Sequence, residues 1–171
     1  MNNLGWLFSR PFYLKIYNKM KITRHNYQEE AHKFASYEHR AYPYLGLQEE
    51  IGELVGKIAK SFRGDKELGL EDLKKEAGDC MWMTSEIDFL EGNNILKEAY
   101  GVWDDYNNHT PAEITEDKFV EFLCGTEHPT TKALCVMFYY GLDLEEILQM
   151  NIDKLQSRLE RGVIKGDGDL R

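Results

Sequence analysis

A chain of 171 residues, 42% hydrophobic and 30% charged, has length for one core but little room for a second domain. Its net charge of −9, with no long basic run, argues against the broad cationic face that holds nucleic acid. The three cysteines, Cys80, Cys124 and Cys135, lack C-x-x-C spacing and read as reduced thiols of a cytoplasmic protein.

The opening "MNNLGWLFSRPFYLKIYNK" is aromatic and basic, but Arg10, Pro11 and Lys15 interrupt its apolar run. That excludes a signal peptide or membrane span. Residues 1–19 read as non-catalytic, whether a dispensable peripheral arm, an oligomer contact or a translation-start artefact with Met20 the alternative start, and residues 20–171 as one domain.

Helical spacing then runs nearly throughout. "NYQEEAHKFASYEH" predicts a first helix capped by Asn26 and Glu29, with Pro43 closing the segment. A second helix is expected from about Gly46 to Arg63, stopping at Gly64, and a third from about Leu70 to Leu90. Residues 91–128 are the least regular, with "DDYNNHTPAE" a loop and "TEDKFVEFLCG" a short helix. Pro129 suits the first turn of "PTTKALCVMFYY", which Gly141 ends. A last helix begins at "DLEE", where Asp143 and Glu146 resemble a capping box, and ends at Gly162. No alternating apolar stretch predicts a strand, so the fold class is an all-α bundle.

At about 100° per residue, Leu47, Ile51, Leu54, Val55, Ile58 and Phe62 form one apolar stripe on the second helix. Glu49, Glu50, Glu53 and Lys57 lie on another face, with Glu50 nearest the stripe. On the third helix Leu70, Leu73, Ala77, Cys80, Met81 and Thr84 form the stripe, and Glu76 and Asp79 sit together beside it. Glu50/Glu53 and Glu76/Asp79 are therefore two i, i+3 acidic pairs on consecutive helices. A single such pair is ordinarily a solvated face, with Glu53 and Lys57 a routine ion pair. If the two helices pack antiparallel, four carboxylates converge, and only cations make that tolerable. Oxygen ligands of this kind suit Mg²⁺, with Mn²⁺ as the alternative. Gly52 and Gly56, four apart, would let a neighbouring backbone approach closely.

In the last helix Asn151 falls in the middle of the stripe of Leu144, Ile147, Leu148 and Leu155, with Lys154 and Arg158 toward one edge. Either these polar groups are satisfied locally, or they point into the same cavity as the acids and face a phosphate. The tail "RGVIKGDGDLR" reads either as solvated chain or as a loop closing over bound phosphates. His39 and Phe62 are the first candidates for stacking on a base.

"EEIGE", followed after 22 residues by "EAGD", resembles the EExxE…ExxD signature of MazG-like nucleoside triphosphate pyrophosphohydrolases. The ending "NIDKLQSRLERGVIKGDGDLR" is similar to that of phage-type members. The resemblance covers about residues 26–90 and 142–171. It implies an all-α domain that uses Mg²⁺ to convert NTPs or dNTPs to the monophosphate and pyrophosphate, for housecleaning or nucleotide-pool control. A homo-oligomer, dimer or tetramer, is implied as well. Glu50, Glu53, Glu76 and Asp79 would be metal ligands, with Glu49 orienting or deprotonating water. Lys57, Asn151, Lys154, Arg158 and Arg161 would hold phosphates. Residues 91–141 depart from the pattern and count as an insertion. If phage-encoded, the protein would work in the host cytoplasm, without nucleic-acid or membrane partners. Two alternatives stand beside this reading. One is a related helical enzyme acting on phosphoribosyl-ATP or an alarmone; the other is a non-catalytic oligomer or partner-binding module.

Overall fold

A computed structural model describes residues 21–108 and 114–163, and every regular element among them is a helix. In chain order these are α1 (Tyr27–His32), α2 (Tyr42–Phe62), α3 (Leu70–Glu91), α4 (Ile95–Asn108), α5 (Glu116–Cys124), α6 (Pro129–Tyr139) and α7 (Leu144–Glu160). The expected all-α class is what is found. No helix among the described residues is long and apolar enough to cross a membrane. The arm 1–19 and most of the tail, residues 164–171, lie outside the described residues.

The helix α3 is the axis of the bundle. It packs against α1, α2, α4, α6 and α7, and from Glu76 to Asp88 all thirteen consecutive positions are buried. A helix enclosed on every side has no solvated face, so its polar side chains must find partners inside the protein. Leu47, Leu54 and Ile58 of α2, Leu73 and Met81 of α3, and Leu148 and Leu155 of α7 meet in one core. Leu70 and Phe62, both assigned to stripes, are instead about half exposed at helix ends.

Several boundaries differ from the sequence expectation for physical reasons. Asn26 does not cap α1: its Oδ1 accepts from the Thr23 backbone N–H at 2.7 Å, closing the preceding turn. The helix then stops at His32, and Pro43, expected to end a segment, lies in the first turn of α2. Proline is suited there because its missing N–H has no intrahelical partner to lose. The "DDYNN" stretch is the end of α4 and not a loop. Leu96, Ala99, Tyr100 and Trp103 recur at helical spacing and pack on the core, which outweighs the polar composition of that last turn. At α7 the Asp143 side chain accepts from the Glu146 N–H at 2.7 Å, the expected cap. Gly64, at φ +82°, ends α2 with Asp65 N–H bonding back to the Lys60 carbonyl, a conformation glycine adopts freely.

The segment read as an insertion is not an appendage. Ala133, Leu134, Val136 and Met137 of α6 enter the core, and the buried hydroxyls of Thr84 and Thr130 share a 2.7 Å hydrogen bond between α3 and α6.

Close helix approach does occur, but not at the glycines expected to allow it. A Cβ on Gly52 or Gly56 would meet nothing within 4 Å. A Cβ on Gly46 would lie 2.7 Å from Met83 Sδ, and one on Gly78 would lie 3.1 Å from Asn151 Cβ. A side chain at Gly46 or Gly78 would press on Met83 or Asn151, while at Gly52 and Gly56 glycine only weakens the helix. Gly52→Ala and Gly56→Ala are each expected to raise stability by about 0.5–1 kcal/mol in denaturant titration. A loss instead would reveal a neighbour pressed against this face of α2.

Candidate metal centre

Three carboxyl groups converge where α2 crosses α3. Glu50, Glu76 and Asp79 each present an oxygen, all within 4.8 Å of one another. Glu76 and Asp79 are buried and Glu50 is half-buried. Among the described residues this is the one group of three or more potential metal ligands held so closely.

Cationic and amide groups line the cluster. Lys57 Nζ lies 2.9 Å from Glu76 Oε1, one turn of α3 from where Lys154 Nζ donates to Asp79 Oδ2. Asn151 Nδ2 donates to Asp79 Oδ1 at 3.0 Å, and the Tyr27 hydroxyl donates to Asn151 Oδ1 at 2.8 Å. Tyr27 is fully buried, so this relay fixes which way the Asn151 amide faces. The absent side chain at Gly78 gives α7 the room to bring Asn151 against α3. Asn151 in mid-stripe is therefore a buried group with both ends of its amide engaged.

Lys57 and Lys154 offset the charges of Glu76 and Asp79, and Glu50 lies beside both acids. Two carboxylates at this spacing repel by roughly 3–4 kcal/mol at the effective permittivity of a partly buried site. Burial, and next the charge of Asp79, push the Glu50 carboxyl up to about 8. Burial also raises Asp79, against the opposing pull of Lys154. Three oxygen donors, with no histidine or thiol among them, could hold a hard divalent cation such as Mg²⁺ or Mn²⁺.

A pH dependence follows, with its sign set by the raised Glu50 value. The folded chain binds that proton more tightly than the unfolded chain, whose glutamate titrates near its ordinary value. The metal-free protein is therefore expected to lose stability as pH rises from about 4.5 to about 8, then level off. A divalent cation competes with the proton, so Mg²⁺ should raise Tm more at about pH 8.5 than at about pH 5.5. Melting curves across pH with EDTA or Mg²⁺ check this; an equal Mg²⁺ shift at both pH values would contradict it.

The chain is similar to the "Gene 37 protein" of Mycobacterium phage L5, 28% identical over 141 residues and covering 80% of each chain. The likeness is to a phage protein. No family model matches the chain, and no solved structure matches it.

Other expected site residues are placed less centrally. Glu53 and Glu49 are exposed. Glu53 adds its charge beside Glu50 and Lys57, and Glu49 acts on Tyr42, but neither joins the converging three. The charge of half-buried Arg158 reaches both Asp79 and Tyr42, which places it at the edge of the cluster. Arg161 is exposed, and its Nε donates to the Ser157 carbonyl at 3.3 Å. His39 is exposed, its Nδ1 accepting from the Ala41 N–H at 3.1 Å ahead of α2. Phe62 is three turns along α2 from Glu50, about 18 Å at 1.5 Å per residue.

Tyr27 and Gly78, which position Asn151, had no part in the sequence reading of the site, nor did Glu86 farther along α3. Glu86 lies two turns beyond Asp79 on α3 and is 1% exposed. Its Oε2 accepts from the Tyr37 hydroxyl at 2.8 Å and lies 3.0 Å from His32 Nδ1. A signal for α3 from Glu76 onward was present: no lysine or arginine occurs between Lys75 and Lys97. Acids on a solvated helix usually have basic neighbours one turn away; acids without them are candidates for the interior.

Proposed function

We propose that the protein is a Mg²⁺-dependent pyrophosphohydrolase that cleaves nucleoside or deoxynucleoside triphosphates to the monophosphate and pyrophosphate. The observation that carries this reading is the convergence of Glu50, Glu76 and Asp79 beside Lys57, Lys154 and Asn151. The EExxE…ExxD spacing and its resemblance to MazG-like enzymes support the same conclusion.

Glu50, Glu76 and Asp79 would hold the metal, with Glu53 extending the acidic face at its open side. Bound there, Mg²⁺ would supply a lowered water pKa and a counter-charge for phosphate oxygens. The protein's own groups perform the rest. Lys57 and Lys154 carry the positive charge for an incoming polyphosphate, and Arg158 adds to it from the edge. Tyr27 holds the Asn151 amide so that its N–H group faces the cluster. The resemblance assigns Glu49, exposed and outside the converging three, to orienting a water for attack on the α-phosphorus. The half-buried setting limits competing solvent, and no covalent nucleophile is required. Homo-oligomer formation and work in the host cytoplasm belong to this proposal. So does a metal-binding role for the face that Glu50 and Glu53 share.

Pyrophosphate release from a nucleotide panel, with the products identified, tests the reading. Monophosphate and pyrophosphate in equal amounts are expected, dependent on Mg²⁺ or Mn²⁺ and lost on chelation. Release of orthophosphate alone would place the cleavage at another bond and overturn the reading.

A further inference from the structure

The Glu86 carboxyl has one oxygen with two partners and one with none. Oε2 serves Tyr37 and His32, while Oε1 is buried and unpartnered among the described residues. The Trp82 indole N–H, one turn back on α3, is also buried without an acceptor. A buried acceptor with no donor is costly, and native interiors keep few of them.

Two ring pairs flank this carboxyl. His32 stacks on Phe89 with centroids 3.4 Å apart, and Tyr37 stacks on Tyr42 at 5.4 Å. His32 and Tyr37 are the two groups bonded to Glu86, so each pair reaches it through one ring. The outer rings face solvent, with Phe89 53% and Tyr42 42% exposed. His32 and Tyr37 are themselves only half-buried, so Glu86 lies one side chain below the surface.

This place lies along α3 from the candidate metal centre. Asp79 and Glu86 are seven residues apart and share a face of α3, about 10.5 Å along its axis. That is the reach of a nucleotide from its phosphates to the far edge of its base. Tyr42 lies within electrostatic range of Glu50, Glu49, Asp79 and Arg158. Tyr27, bonded into the cluster through Asn151, lies near both Asp79 and Glu86.

We propose that Glu86, between the His32–Phe89 and Tyr37–Tyr42 ring pairs, forms the base end of the substrate site and selects bases that present an amino group. This rests on the triphosphate reading and adds the class of base. Aromatic faces stack on any base. The free oxygen discriminates: it accepts from adenine N6 or cytosine N4 and opposes the O4 acceptor of thymine or uracil.

The test is binding of dAMP, dCMP, dTMP and dUMP to the full-length protein, read without turnover, alongside pyrophosphate release from the matching triphosphates. Wild type is expected to bind dAMP or dCMP about tenfold more tightly than dTMP or dUMP. Glu86→Gln keeps an oxygen for Tyr37 and His32 but presents an amide N–H₂ at the free position, and should erase or reverse that preference. Phe89→Ala removes an exposed ring without endangering the core, and should weaken all four several-fold. An unchanged base ranking in Glu86→Gln, or unchanged binding in Phe89→Ala, would overturn the proposal. Pyrophosphate release with no base preference would sink this inference alone. Base-selective binding without pyrophosphate release would uphold it and sink the enzymatic reading.

Discussion

Asp79→Asn is expected to reduce pyrophosphate release roughly 10³-fold, on the scale of removing a key electrostatic group from an active site. Divalent-cation binding, followed by calorimetry, should fall with it. Asp79 stands at the meeting of every feature of the centre: it faces Glu50 and Glu76, and it accepts from Asn151 and Lys154. The substitution preserves size and a carbonyl-type oxygen for Asn151. It removes the charge of a group whose burial already opposes ionisation, and in the metal-free state it relieves repulsion with Glu50 and Glu76. The fold should therefore survive, with a Tm close to that of wild type in EDTA. Mg²⁺ should no longer raise it. Retained Mg²⁺-dependent turnover in a folded Asp79→Asn protein would remove Asp79 from the metal centre.

The largest effect on stability is expected from Leu155→Ala, at about 2–5 kcal/mol. Leu155 is fully buried on α7, one turn past Asn151, as Leu148 is buried one turn before it. These two leucines seat α7 on α3 and so set the position of the Asn151 amide. The cost combines lost burial with the cavity left behind, which neighbouring helices fill only in part. Chemical denaturation should show the change in midpoint. Because α7 also carries Lys154, catalysis should weaken below the melting temperature too. A loss under about 1 kcal/mol would mean that the bundle closes over the gap and that α7 is less firmly seated than the burial indicates.

What could be read in advance followed the helical period. Leu47, Ile51, Leu54 and Ile58 on α2, and the α7 stripe interrupted by Asn151, are buried as their spacing required. The acidic pairs were visible for the same reason, and Glu50, the member nearest the apolar stripe, is the one drawn into the cluster. Glu53 sits about 60° further round the helix and stays at the surface, a distinction that i, i+3 spacing alone does not make. Other features were hidden because they are tertiary. The C-terminal turn of α4 reads as loop by composition and is helical because the rest of that helix has a core to pack on. Gly78 and Gly46 reveal their purpose only against Asn151 and Met83, while Gly52 and Gly56, the conspicuous pair, meet nothing. Tyr27 and Glu86 acquire partners from distant parts of the chain: Tyr27 is 124 residues from Asn151, and Glu86 is 49 from Tyr37. The absence of basic residues along the second half of α3 was the one local clue.

Whether the protein cleaves nucleotides is decided by pyrophosphate release from the common NTPs and dNTPs by the wild-type protein with Mg²⁺ or Mn²⁺. Metal-dependent formation of pyrophosphate and monophosphate in equal amounts is expected from at least one of them, abolished by EDTA and by Asp79→Asn. No pyrophosphate from any of these nucleotides with either metal would contradict it.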